Sequence, residues 1–331
     1  MKNVSYLIVI IFTMAVLSCK KETATSSNTK WLTYSKDNSG LVSNNVQSIA
    51  IDLQGNKWFG TFNGVSKFDD TKWTTYNKTD GLASNNVVSI AIDAQGNKWF
   101  GTSTDLDDHF NVISQGGVSK YDGTHWTTYY QGFGVQCLSI DSQGNIWVDI
   151  IGGVSKFDGT NWITYNQSSG LASDNVYSIA IDIQGNKWFG FLDKGVSRYD
   201  GTNWITYNEN NSGLASNDVE SIAIDAQGNK WFGSGENEGK GVSKFDGTNW
   251  VTYNTTNSGL VNNVVLSIAI DIRGNKWFGT EGGVSKFDGS NWTSYTASNS
   301  GLVHNLVGVI AIDAQGNKWF GTPAGVSELK D

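Results

Sequence analysis

The chain has 331 residues, a formal net charge of −8 and 16% charged side chains, with 39 glycines, 14 tryptophans and one proline. Such a composition excludes extended disorder and suits many short strands joined by tight turns. The acidic balance, without any run of Lys or Arg, excludes nucleic acid and anionic membrane surfaces as partners, since both demand a basic patch.

In chain order, residues 1–18 are predicted to be an export signal: Lys2 supplies a positive start, Leu7 to Leu17 an apolar stretch, and Ser18 a small residue before Cys19. The apolar run is too short for a membrane-spanning helix, which takes about 20 residues. Val16-Leu17-Ser18-Cys19 resembles the lipobox of bacterial lipoproteins, and that resemblance implies acylation of Cys19 and a stable lipid anchor. Lys20 stands where an aspartate is associated with inner-membrane retention, so the resemblance implies the outer membrane, with the leaflet open. Residues 19–30 then form a polar tether. Only Cys137 remains as a thiol, so no intramolecular disulfide is expected and stability must come from packing.

Residues 31–331 are repetitive. The pattern I-A-I-D-x-x-G-N-x-W begins at Ile49, Ile90, Ile179, Ile222, Ile268 and Ile310, with a degenerate copy at Leu138. Gly-Val-Ser recurs seven times, from Gly64 to Gly325, and Trp-x-x-Tyr seven times, from Trp31 to Trp292. Each unit thus holds four β-prone runs, exemplified by Ser89 to Asp93 (strand A), Lys98 to Thr102 (B), Gly117 to Tyr121 (C) and Trp126 to Tyr129 (D). Four strands repeating about every 42 residues mark a propeller blade. The expected fold is all-β, a seven-bladed β-propeller of four-stranded antiparallel blades. A lone D strand at Trp31 precedes the first A strand and the last unit stops after its C strand. The N-terminal strand is therefore predicted to pair into the last blade and close the ring.

These units resemble the two-component regulator propeller repeat, whose D-x-x-G-N-x-W-x-G-T is matched from Asp52, Asp93 and Asp271. In that family such repeats form periplasmic sensors of membrane-spanning histidine kinases that respond to glycans. No kinase segment follows the seventh unit here, so the resemblance implies the sensor module alone, tethered by lipid.

All fourteen tryptophans fall at two repeat positions, B and D, and are expected to be blade packing and not a sugar platform. The repeated Asp of the A–B turn is expected to accept backbone N–H groups, with the turn Gly at positive φ. That turn is similar to the Asp-box of sialidase propellers, but its Gly is one residue too late. The chain also has only Arg198 and Arg273, where sialidase chemistry needs three arginines.

Because strand direction reverses at each turn, A–B and C–D turns share one face of the disc, and B–C and D–A loops share the other. All length variation falls on the second face. Trp to Val across the B–C loop is seven residues in four blades, nineteen from Trp99 and eleven from Trp231. The D–A loop, near fifteen residues elsewhere, shortens to nine between Tyr129 and Leu138. Variable loops on a rigid scaffold are where binding sites concentrate.

Candidate ligand-binding residues on this face are Asp105, Asp107, Asp108 and His109 in the first insertion, Ser103 to Gly116, together with Glu281 and His304. The aspartates could offer oxygens to Ca2+, although a solvated acidic loop is the plainer account, and no metal or other cofactor is expected. The second insertion, Ser234 to Lys240, reads as a flexible rim. Glu281, His304 and Glu220 would form an acid–base set only if they converge at the channel mouth. Streptogramin lyases are similar propellers, so an enzyme is the alternative to the expected function. That function is a monomeric cell-envelope module binding a glycan, a peptide or an envelope protein.

Overall fold

The structure, a computed structural model, describes residues 31–106, 112–132 and 134–331. The signal segment, Cys19 and the tether lie outside the described residues, as do Asp107, Asp108 and His109.

Seven four-stranded antiparallel sheets follow one another as blades. Blade 1 is Val46–Ile51, Lys57–Thr61, Gly64–Phe68 and Trp73–Tyr76, and blade 2 is Val87–Ile92, Lys98–Thr102, Gly117–Tyr121 and Trp126–Gln131. Blade 3 is Leu138–Ile140, Ile146–Ile150, Gly153–Phe157 and Trp162–Tyr165. Blade 4 runs from Ser178–Ile181 to Trp204–Tyr207, blade 5 from Val219–Ile224 to Trp250–Tyr253, and blade 6 from Val265–Ile270 to Trp292–Tyr295. Blade 7 takes its A, B and C strands from Val309–Ile312, Lys318–Thr322 and Gly325–Leu329, and its D strand from Trp31–Tyr34. Trp31 pairs with Leu329 and Tyr34 with Val326. Ring closure by the N-terminal strand is thus as expected. Each A strand packs on the A strands of both neighbours, the first against the last.

The core is divided among the seams. Seven apolar clusters form, each joining the B-strand Trp of one blade to the B-strand aromatic or aliphatic residue of the next, as Trp58 with Phe100 and Trp188 with Phe232. This division follows from strand geometry: consecutive Trp and Phe point to opposite faces of the sheet, so each blade presents Trp to one neighbour and Phe to the other. The seven B-strand indoles are all buried, whereas the D-strand tryptophans are half-buried and stack on aromatic rings of their own blade, as Trp73 on Phe68 at 4.6 Å.

The repeat motif explains itself in the A–B turn. Asp93 Oδ1 accepts the backbone N–H of Gln95 at 3.0 Å and of Asn97 at 2.8 Å, and Gly96 sits at φ 80°. Its Oδ2 accepts the Asn97 amide at 2.8 Å and the Trp99 indole N–H at 2.9 Å. One carboxylate therefore ties the turn to the core indole, and all seven blades repeat the indole bond at 2.9 to 3.1 Å. Burial works to raise these carboxyls, but the hydrogen bonds outweigh it and hold Asp52, Asp93, Asp141, Asp182, Asp225 and Asp271 below the ordinary aspartate value.

A second device crosses the seams. The Lys that opens strand B lies over the indole of the preceding blade, as Lys98 over Trp58 at 5.1 Å and Lys187 over Trp147 at 5.0 Å. The same lysines stand 3.6 Å from Asp52 and 3.9 Å from Asp141. Six seams carry this latch. At the seam between blades 2 and 3 the position is Ile146, buried against Trp99.

Candidate functional site

The D–A loops reach over the B–C end of the blade they enter. Their backbone is pinned by the Ser of Gly-Val-Ser, whose Oγ accepts an N–H from Val42, Ala83, Ala172, Ala215, Val261 and Val303 in six blades. The shortened loop before blade 3 cannot reach, and Ser155 bonds Thr164 instead. The top of blade 3 is consequently uncovered, and a pocket of about 290 Å3 opens there.

Its walls come from the base of the first insertion (Ser103, Thr104), the short loop (Gly134, Gln136), the end of blade 3 strand B with its loop (Asp149, Ile150, Ile151) and the entry to blade 4 (Asp174 to Tyr177). Ile151 is 72% exposed and Tyr177 41%. Both apolar bodies stand beside the Gln136 and Asn175 amides and the Thr104 hydroxyl.

Asp149 forms the floor. The other six blades place Gly at this position, and Gly60 shows why: a Cβ there would lie 2.1 Å from Ser48 Oγ and 2.7 Å from the Val87 carbonyl oxygen. In blade 3 strand A begins late and spans only Leu138–Ile140, against six residues in blade 1. The preceding backbone gives its N–H groups to the new carboxylate, Gln136 and Cys137 each donating to Asp149 Oδ1 at 2.8 Å. Burial pushes the Asp149 carboxyl up to about 7 despite those bonds. Burial and the Asp149 charge also push the Cys137 thiol well up, leaving it a poor nucleophile. What the pocket can do is hold a ligand that is polar on one side and apolar on the other.

The residues expected from sequence fare differently. Asp105 lies in a short strand, Asp105–Leu106, paired with Val112–Ser114. Glu281, on the B–C loop of blade 6, is exposed and acts electrostatically on Glu220, the second residue of blade 5 strand A. His304 is a different matter. Its Nδ1 accepts the Leu306 N–H at 3.0 Å, the turn-forming role that Ser43, Ser84, Ser173, Ser216 and Asn262 fill in other D–A loops. The imidazole is thus a turn acceptor facing solvent. Among the described residues no group of three or more His, Cys, Asp or Glu is set to hold a metal ion. The second insertion folds back over blade 5 as a strap. Lys240 binds Glu209 at 2.8 Å and Glu238 at 3.2 Å, and Ser216 Oγ donates to Glu238 at 2.5 Å.

Asp149, Ile151 and Tyr177 were not singled out from sequence, although an Asp where six aligned repeats have Gly was a readable signal.

Comparisons with known proteins agree with this geometry. The extracellular domain of a protein described as the hybrid two component system BT3049 from B. thetaiotaomicron matches at 25% identity and a TM-score of 0.78, over 91% of this chain and 41% of that one. PorZ, a surface component of the type-IX secretion system of Porphyromonas gingivalis, matches at 17% identity and a TM-score of 0.68, over 87% and 46%. Virginiamycin B lyase from Staphylococcus aureus matches at 13% identity and a TM-score of 0.70, over 91% and 98%. The last two likenesses show the fold alone. The chain spans about two fifths of the length of the extracellular domains it matches. No curated protein matches it by sequence. The two component regulator propeller family matches residues 81–104, the stretch that enters blade 2 and holds its Val87–Ile92 and Lys98–Thr102 strands.

Proposed function

We propose that this propeller is a binding and sensing module of the cell envelope, anchored through Cys19 to the outer membrane, and that it acts by recognition and not by catalysis. A glycan is the ligand class that fits best. The observation that carries the reading is the coincidence of the loop deletion, the root of the first insertion and the Gly-to-Asp exchange at one pocket on the uneven face. A saccharide ring presents hydroxyls at its edge and C–H groups on its face. Gln136, Asn175 and Thr104 suit the first, and the exposed Tyr177 and Ile151 suit the second. Likeness to extracellular sensor domains supports an envelope location. A catalytic use of the same face, as in the lyases of similar fold, would have only the Nε2 of His304, since its Nδ1 accepts the Leu306 N–H of its own turn.

The test is a glycan array probed with the full chain in detergent, followed by titration of any hit against Tyr177→Ala and Ile151→Asp. Both variants are expected to melt like the wild type and to bind at least about tenfold more weakly. Undiminished affinity in both would remove the pocket from the recognition surface.

A further inference from the structure

A second departure from the repeat lies across the same face, in blade 5. Asp218 stands where blades 1, 2 and 4 carry Asn45, Asn86 and Asn175, and Glu220 follows two residues later. Asp218 is fully buried. Its Oδ2 accepts the Asn237 N–H from the strap at 2.8 Å, but Oδ1 is buried without any partner. A Cβ built on Gly235 would lie 2.5 Å from Glu220 Cδ and 2.7 Å from Asp218 Oδ1, so both carboxyl groups crowd the same small space that only a glycine leaves open. Asp218, Glu236 and Glu281 all act on Glu220 as like charges. The strap's own cation, Lys240, is committed to Glu209 and Glu238.

We propose that Asp218 and Glu220, closed over by the 234–240 strap, form the seat of a hard divalent cation, with Ca2+ as the class. Burying an anionic oxygen with no donor is costly unless something supplies positive charge. An all-oxygen surrounding, without His or Cys, selects Ca2+ or Mg2+ over zinc. Two protein carboxylates would leave the remaining positions to backbone carbonyls and water. The spacious, irregular geometry that Ca2+ accepts suits such a set better than the strict octahedron of Mg2+. The seat would pin the strap beside the channel mouth and so fix one wall of the uneven face.

The substitution that tests this is mild, because Asp218→Asn restores the residue found in three other blades. Full chain stripped with chelator is titrated with CaCl2 by calorimetry, and its Tm is read with and without millimolar Ca2+. The expected result is one site with a Kd of about 1 mM or tighter and a Tm rise of about 2 °C. Asp218→Asn and Glu220→Gln each weaken binding at least about tenfold, while their metal-free melting stays at or above that of the wild type. Absence of heat and of any Tm shift in the wild type overturns the proposal. So does retention of the full Ca2+ response by the double variant, or its loss only when Asp105, Asp107 and Asp108 are changed to Asn, since either would put the ion elsewhere.

Discussion

Six seams of the ring and the seventh are built on different physics. In six, a lysine from one blade lies over the indole of the preceding blade, as Lys230 over Trp188 at 5.2 Å, which also stands 4.0 Å from Asp182. Between blades 2 and 3 the same position is Ile146, which packs in an apolar cluster with Trp99, Val135, Leu138, Val148 and Phe157, and the Leu138 N–H crosses the seam to Ser89 Oγ at 3.1 Å. The unlatched seam is also the one bordered by the first insertion and the shortened loop. Where the repeat is strict the molecule is scaffold, and where it relaxes, pocket-lining residues accumulate. The general lesson is that in a repeat protein the site is found by subtraction.

Several perturbations would break or sharpen that contrast. The largest effect is expected from deleting residues 30–36, which removes Trp31 and Tyr34 and bares the edge of Gly325–Leu329. A loss above about 5 kcal/mol is anticipated, enough to abolish a cooperative melt. A calorimetric trace with an unchanged midpoint would show that the ring does not depend on that strand.

Next comes Asp182→Ala in a latched seam. It leaves the buried Trp188 indole N–H, the Asn186 amide and a backbone N–H without an acceptor, for a loss of about 2 to 3 kcal/mol in a denaturant titration. The same bonds set the acid limit. Folded carboxyls held below their unfolded value contribute fully above about pH 4, and that contribution is lost as pH falls through the depressed value. Wild-type Tm should therefore drop steeply only below about pH 4, and less steeply in the variant.

Blade 3 should show the opposite sign. Burial holds the Asp149 carboxyl near about 7. The stability that goes with its raised value is complete below about pH 4 and is lost as pH rises through the folded value. Asp149→Asn keeps an acceptor for the Gln136 and Cys137 N–H groups and removes the charge. It is expected to melt higher than wild type at pH 8, by about 1 to 2 kcal/mol, and equally at pH 4. A higher Tm at both pH values would mean that packing, not charge, is responsible.

The smallest effect is the exchange of latches. Lys187→Met is expected to cost about 1 kcal/mol or less, since it removes one cation–π contact and one long ion pair from a partly buried side chain. Ile146→Lys, offering the unlatched seam the missing cation, should recover none of its lost apolar packing. If the second variant proved the more stable, the two seams would differ only by history and not by physics.

Much of this molecule could be read before any coordinates. The blade count, the four strands of each blade, the pairing of Trp31–Tyr34 with the last unit and the sorting of loops by face all follow from residues that repeat at fixed spacing. The strand bounds matched to within two residues in blade 2, as Lys98–Thr102 and Gly117–Tyr121 illustrate. The turn carboxylate was legible too, because Asp and Gly at that spacing define a local turn. Its bond to the indole six residues on was not, since that contact needs the strand to reverse and the ring to swing under the turn.

The same boundary runs through the candidate sites. His304 looked chemically eligible by residue type, but which of its atoms is already spent depends on the fold of its loop. Asp149 sits across the A–B hairpin from Gln136, and only the late start of strand A brings the two backbone N–H groups onto its carboxylate. Asp218, Glu220 and Gly235 meet only because the strap folds inward. Sequence by itself determined the scaffold of this protein, because periodic side chains specify periodic contacts. Tertiary structure alone decided where exceptions from different blades converge, because that depends on distances across seams that no spacing along the chain records.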